Sequence, residues 1–164
     1  MYRSSKILIF LAAWRRHHIT EVCFKGIQRL KKFFDIEAFC VGSETEIERL
    51  CKKYDIGYTF YPNDWLGEKK NHGIVEALKW KWDYMLEIGS DDLLRTELLR
   101  YYEKHYDKKY FGCDHLVFVN AETKECKGYK SKTVFGGGRV VCRDAIENCL
   151  SAIVTGKQIG RAHV

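Results

Sequence analysis

The sequence predicts an α/β fold with a mainly parallel central sheet flanked by helices and a short β-hairpin in the C-terminal part. Apolar runs of strand length alternate with segments of helical periodicity, and such alternation is typical of parallel sheets with right-handed crossovers. The chain has 164 residues, of which 46% are hydrophobic and 30% charged. This composition is that of one globular domain and excludes a disordered or collagen-like chain.

Three strands and two amphipathic helices are predicted in the first part of the chain. The strands cover residues 6–13, 36–41 and 56–61. The first of them, KILIFLAA, is a continuous apolar run, as expected for a strand that is buried on both faces. We expect Thr20 to cap the first helix and Ser43 to open a capping box with Glu46 for the second helix.

The remaining elements follow a polar loop at residues 65–71. The helix after this loop is expected to turn its apolar side chains inward, namely Ile74, Val75, Leu78 and Trp82. Further strands are predicted at 83–88, 115–120 and 139–142, with a hairpin at 120–129 and helices at about 93–106 and from 144 onwards. In sheets of this class, ligands bind at the carboxyl ends of the parallel strands.

Charge and cysteine content exclude several kinds of protein. Lys and Arg number 28 against 22 Asp and Glu, a formal charge of +6 that is scattered rather than gathered into a basic stripe, so nucleic-acid binding is a weak alternative. The seven cysteines form no C-x-x-C pair, which argues against a structural zinc site and indicates reduced thiols in a cytoplasmic protein. The longest apolar run, residues 7–14, is too short to span a bilayer.

The strand at residues 83–88 runs directly into Gly89-Ser90-Asp91-Asp92. Carboxylates at a strand end are held rigidly and face the cleft, where a hard divalent cation would share them with a diphosphate. The alternative is that Asp91 or Asp92 only caps the following helix.

A second candidate segment, residues 67–73, opens a helix. Its free backbone amides, with Lys69 or Lys70, are suited to a phosphate, although basic residues before a helix are more often simply solvated.

Three stretches in this order, KILIFLAAW, GEKKNHGIVEAL and DYMLEIGSDDLL, resemble a family 2-type glycosyltransferase with the GT-A nucleotide-sugar fold, in a small form like those of phage and bacterial genomes. The resemblance covers residues 6–145. Lys70-Asn71-His72-Gly73 stands where the family often carries Arg-Asn-x-Gly, and Gly89-Ser90-Asp91-Asp92 stands for the acidic motif, often Asp-Ser-Asp-Asp. Gly89 therefore replaces the first acidic residue.

The resemblance implies a transferase that moves a sugar from a nucleotide-sugar donor to a hydroxyl of a glycan, lipid or nucleic-acid-base acceptor. It implies Mn²⁺ or Mg²⁺ bound by Asp91 with help from Asp92. It also implies donor contacts from several residues, namely Trp14, Glu44, Lys70, Asn71 and Ser90. It identifies no catalytic base and no oligomeric state.

Several residues keep two interpretations. Arg139, after Gly136-Gly137-Gly138, either contacts a phosphate or sugar or is a solvated residue of a glycine-rich turn. Trp14 and Trp65 either stack on a base or sugar ring or pack against the protein. At the level of the whole chain, the alternatives to a glycosyltransferase are a non-catalytic nucleotide- or sugar-binding module and a nucleotidyltransferase on a related fold.

The last six residues, IGRAHV, resemble the conceptual translation of a short-read sequencing adapter. We therefore expect residues 1–152 to form an incomplete GT-A-like domain and residues 153–164 to be a non-native or disordered tail.

Overall fold

The computed structural model describes residues 5–154, and side chains as far as residue 149. Eight strands are present in this part of the chain: β1 (Ile7–Ala13), β2 (Ile36–Gly42), β3 (Gly57–Phe60), β4 (Tyr84–Gly89), β5 (Tyr110–Phe111), β6 (His115–Val119), β7 (Cys126–Lys130) and β8 (Arg139–Cys142). Five helices accompany them: α1 (His17–Leu30), α2 (Thr45–Lys53), α3 (Leu66–Ala77), α4 (Thr96–Glu103) and α5 (Arg143–Val154).

The main sheet has six strands in the order β3-β2-β1-β4-β8-β5. The first four are parallel to one another, whereas β8 runs antiparallel to both β4 and β5. Strands β6 and β7 form a separate antiparallel hairpin. The predicted fold class, a mainly parallel sheet flanked by helices with a C-terminal hairpin, is therefore confirmed.

Helices cover both faces of the sheet. Alternate residues of β1 enter two different cores: Ile9 packs with residues of α1 and α2, while Phe10 packs with residues of α3 and α5. Both residues are fully buried. This two-sided burial explains why β1 reads as a continuous apolar run rather than an alternating one.

The carboxyl ends of the central strands meet at one edge. Ala13 pairs with Gly42 at the end of β2, Ala12 pairs with Gly89 at the end of β4, and Gly42 pairs in turn with Phe60. The loops that follow these strands therefore leave the sheet side by side, where a ligand site is expected.

Both predicted capping residues are wrong. Helix α1 begins at His17 with Arg16 at its N-cap, so Thr20 lies inside the helix, where it is fully buried. Helix α2 has Glu44 at its N-cap position without a side-chain cap. Ser43 instead donates its hydroxyl to the Tyr61 carbonyl at 2.6 Å, and this bond replaces the predicted capping box.

The predicted polar loop at 65–71 is also wrong, because α3 already begins at Leu66. The buried face of this helix consists of Lys69, Gly73 and Ala77. A Cβ on Gly73 would lie 2.8 Å from Val41 Cβ, so this glycine lets the helix approach the sheet. That orientation leaves Val75 41% exposed rather than facing inward as predicted.

The C-terminal part departs from the prediction in two elements. The helix predicted at about 93–106 covers only Thr96–Glu103, and the predicted strand 115–120 belongs to the hairpin rather than the main sheet. The sheet edge is formed by the two-residue strand β5, which the sequence did not indicate. Within the described residues, no helix has both the length and the apolar character needed to cross a membrane.

Candidate functional site

A cleft of about 500 Å³ opens at the carboxyl ends of β1 and β4. It is lined by the ends of these strands, by α3 and by the glycine-rich loop before β8. Six of the residues predicted to form a site line this cleft: Trp14, Lys69, Lys70, Ser90, Asp91 and Asp92. The cleft thus brings the acidic motif and the α3 lysines to one place.

Both carboxylates of the acidic motif fold over Gly89. Asp92 Oδ2 accepts a hydrogen bond from the Gly89 backbone N–H at 2.6 Å. A Cβ at position 89 would lie 2.8 Å from Asp91 Oδ1 and 3.1 Å from Asp92 Oδ2. Gly89, which has no side chain, therefore leaves the space that the two carboxylates occupy.

The helix-cap interpretation of these acids is wrong. Helix α4 begins at Thr96 with Arg95 at its N-cap and has no side-chain cap. The carboxylates are instead directed at the cleft, where the glycine-rich loop also reaches them. A Cβ on Gly137 would lie 2.9 Å from Asp92 Oδ2.

Arg16 contacts the acidic motif from the loop after β1. Its Nη1 donates to Asp91 Oδ2 at 2.8 Å, and this ion pair joins residues that are far apart in the chain. Both side chains are partly exposed and both line the cleft. Arg16 lies in the loop between β1 and α1, and the local sequence carries no signal of this pairing with a residue 75 positions later.

Lys70 is held by a glutamate that the sequence analysis did not single out. Glu87 on β4 is only 7% exposed. Its Oε1 accepts from Lys70 Nζ at 2.6 Å, and its Oε2 accepts from Arg139 Nε at 2.6 Å. Arg139 therefore forms an ion pair with Glu87 rather than remaining a free solvated side chain, and it is not among the residues that line the cleft.

Lys69 is the most buried cation of the site, with 1% exposure. Its Nζ donates to three oxygens at the carboxyl ends of three different strands: Ala13 O at 2.7 Å, Ser43 Oγ at 2.7 Å and Asn63 Oδ1 at 3.0 Å. All three acceptors are uncharged. Removal from water, the largest effect, therefore lowers the pKa of the Lys69 ammonium.

Glu44 connects the loop after β2 to the loop after β1 by hydrogen bonds, and it does not line the cleft. Its Oε2 accepts from the Arg15 backbone N–H at 2.8 Å and lies 3.0 Å from His17 Nε2. These contacts, the backbone bond first, hold the pKa of the Glu44 carboxyl below its ordinary value. Asn71 also lies outside the residues that line the cleft.

The two tryptophans differ in placement. Trp14 lines the cleft and is 42% exposed, with the Arg15 guanidinium 4.1 Å from its ring centre. Trp65 is 66% exposed and does not belong to the cleft lining. Only Trp14 is therefore in place to stack on a bound ring.

The donor atoms of the cleft fit a divalent cation that is bound jointly by the protein and a substrate phosphate better than a cation bound by protein side chains alone. Within residues 5–154, no group of three or more His, Cys, Asp or Glu side chains is arranged to hold a metal. Asp91 and Asp92 supply carboxylate oxygens over one glycine. Mg²⁺ commonly binds through one or two carboxylates together with substrate phosphates and water. The residues present fit an ion of that kind.

Comparison with known proteins identifies the fold. No protein-family model matches the sequence, and no curated protein sequence matches it significantly. Among solved structures, the chain is similar to 4-diphosphocytidyl-2C-methyl-D-erythritol synthase from Anaerococcus prevotii, with a TM-score of 0.63 and 12% identity. The match covers 95% of this chain and 80% of that protein.

Two further structures share the fold. A mannosyltransferase from Pyrobaculum calidifontis, in complex with GDP-Man and Mn²⁺, has a TM-score of 0.61 at 14% identity over 90% of this chain and 47% of its own. CMP:2-keto-3-deoxy-manno-octonic acid synthetase, complexed with CTP, has a TM-score of 0.55 at 13% identity over 88% of this chain and 77% of its own. The chain thus spans about half the length of the mannosyltransferase. At these identities the likeness shows the fold alone.

Proposed function

We propose that the cleft binds the diphosphate of a nucleotide sugar and that the protein is a glycosyltransferase of the family 2 type, acting on an acceptor hydroxyl. One observation carries this proposal: Asp91 and Asp92 at the end of β4 line the same cleft as Lys70 from α3. The GDP-Man and Mn²⁺ complex of a mannosyltransferase with this fold supports it.

Charge assigns the roles within this proposal. Lys70 and Arg16 supply positive charge to the two phosphates. Lys69 adds a third positive charge from the buried side of the cleft, because its three hydrogen-bond acceptors are all uncharged. Asp91, with Asp92, would hold Mn²⁺ or Mg²⁺, which when bound neutralises charge on the departing nucleoside diphosphate. Trp14 and Ser90 are positioned to contact the donor, whereas Glu44 acts through the loop that carries Arg16.

Product release tests the proposal. The protein is incubated with GDP- and UDP-sugars, Mn²⁺ and a panel of glycan and lipid acceptors, and free nucleoside diphosphate is measured. We expect release that requires both metal and acceptor and falls at least about 100-fold in Asp91→Asn. Asp107→Asn, a change at an exposed residue outside the cleft, is the control and should leave the rate unchanged. Equal rates in the two variants would refute the assigned role.

A nucleotidyltransferase is the second candidate, because this chain matches a larger share of the length of such enzymes than of the mannosyltransferase. The chain covers 80% and 77% of two synthases of this fold but only 47% of the mannosyltransferase. Pyrophosphate release from CTP in the presence of a sugar or polyol phosphate would identify this activity. Tight nucleotide binding without either product would indicate the non-catalytic module.

The state of the cysteines supports a reducing compartment. All seven lie within the described residues as free thiols. We therefore keep the cytoplasm as the proposed location.

A further inference from the structure

The Arg16 guanidinium is bound to Asp91, the carboxylate that the proposed function assigns to the metal. Arg16 Nη1 lies 2.8 Å from Asp91 Oδ2, and the two side chains are 56% and 43% exposed. Pairs this exposed are held weakly in water, because both charges remain solvated. The pair is therefore easily exchanged for another partner.

The backbone fixes the point at which the Arg16 side chain leaves the main chain. Arg15 and Arg16 both adopt the left-handed conformation, with φ of 55° and 47°. The Arg15 N–H is bound by Glu44, and the Arg16 carbonyl accepts from the Thr20 N–H at 3.0 Å in the first turn of α1. Two consecutive residues with strained backbone conformations, each fixed by a hydrogen bond, are typical of a functional loop in which the direction of a side chain matters.

A divalent cation on Asp91 would lie within a few ångströms of the Arg16 guanidinium. The two positive charges repel each other at that range, so each weakens the binding of the other to the shared carboxylate. A guanidinium displaced from Asp91 stays in the cleft, where a diphosphate offers it two-pronged hydrogen bonds.

We propose that Arg16 is a built-in competitor of the divalent cation at Asp91, and that it transfers to the diphosphate when metal and nucleotide bind together. This inference rests on the proposed metal-assisted donor site. It predicts that the free protein binds metal weakly and that a nucleoside diphosphate strengthens metal binding. By reciprocity the metal strengthens nucleotide binding by the same factor.

Mn²⁺ titration followed by the electron paramagnetic resonance signal of the free ion tests this exchange. Wild type, Arg16→Gln, Arg15→Gln and Asp91→Asn are each titrated without nucleotide and then with GDP, UDP or CDP. Arg15→Gln is the matched control, because it removes the same charge from the same loop but its guanidinium lies over Trp14 rather than on a carboxylate. Circular dichroism checks that each variant is folded.

We expect Arg16→Gln to bind Mn²⁺ between about threefold and tenfold more tightly than wild type when nucleotide is absent. The strengthening by nucleotide should be smaller in this variant, and Arg15→Gln should behave as wild type. An unchanged or weaker affinity in Arg16→Gln, or an equal gain in Arg15→Gln, would overturn the exchange while leaving the donor site intact. Mn²⁺ binding that is absent with every nucleotide, or indifferent to Asp91→Asn, would overturn the donor site and the exchange with it.

Discussion

Gly89 shows how a single missing side chain shapes the site. Because a Cβ there would lie 2.8 Å from Asp91 Oδ1, Gly89→Ala forces the carboxylates to move while the strand backbone stays acceptable to alanine. We expect at least about a tenfold loss in affinity for Mn²⁺ with nucleotide, measured by calorimetry, and a stability change below about 1 kcal/mol.

Gly67 offers the matched control for this change. A Cβ at that position meets nothing within 4 Å, although the residue lies in α3 beside the cleft. Gly67→Ala should stabilise the protein by about 0.5–1 kcal/mol and leave the affinity as it is. If both alanine variants bound the metal and nucleotide like wild type, the space that Gly89 leaves for the two carboxylates would have no role in binding.

Glu44 predicts an acid-dependent contribution to stability. Its folded-state pKa is lowered from 4.5, by the Arg15 N–H first and by His17 second. A carboxyl of this kind stabilises the fold above its unfolded pKa, and the contribution is lost as the pH falls through the folded value. Thermal unfolding between pH 6 and pH 3 should therefore show a shallower decline for Glu44→Gln than for wild type. Glu103→Gln, at an exposed position at the end of α4, should follow the wild-type curve.

The two capping predictions failed for different reasons. Ser43 bonds to Tyr61 O and Lys69, which are distant partners that the local sequence does not reveal. Thr20 lies one turn inside α1, where its buried hydroxyl has no hydrogen-bond partner among the described residues. Asp91 and Asp92 were placed correctly in the cleft because a strand end fixes their position from adjacent residues alone.

At the scale of elements, α3 holds the edge together through Lys69. This ammonium satisfies oxygens at the carboxyl ends of β1, β2 and β3, and removing it leaves all three without their buried donor. We expect Lys69→Met to lower the free energy of unfolding by more than about 2 kcal/mol in urea titrations. Lys79→Met removes only an exposed pair with Glu76 and should cost less than about 0.5 kcal/mol. Equal losses of unfolding free energy in the two variants would show that Lys69 does not stabilise the loops through these hydrogen bonds.

The same helix shows why its start was misplaced. A helix is recognised from apolar residues at helical spacing, but the buried face of α3 consists of a lysine, a glycine and an alanine. The first of these carries a charge and the second weakens any helix prediction. The i, i+4, i+8 spacing of Lys69, Gly73 and Ala77 was the available signal.

Strand β4 was predicted more accurately, with one charge overlooked. Its apolar run and the acids after it are local features, and the structure places the strand at Tyr84–Gly89. The buried Glu87 within it is balanced by Lys70 and Arg139, which come from distant parts of the chain. Sequence spacing contains no information on such partners.

For the whole molecule, the alternation of strands and helices was sufficient to predict the parallel sheet. It was not sufficient to place the strands after β4, because β8 inserts antiparallel beside β4 and the nearer strand β6 joins a separate hairpin instead. A strand as short as Tyr110–Phe111 has no recognisable pattern of its own. Long-range pairing decides this part of the fold.

We propose that the cleft binds a nucleoside diphosphate together with a divalent cation that Asp91 would hold. The most direct test of this proposal is calorimetric titration of GDP, UDP and CDP with Mn²⁺ into wild type, Asp91→Asn and the control Asp107→Asn. We expect metal-dependent binding by wild type and the control, and at least about a tenfold weaker affinity in Asp91→Asn. Identical metal-dependent affinities in all three proteins would contradict it.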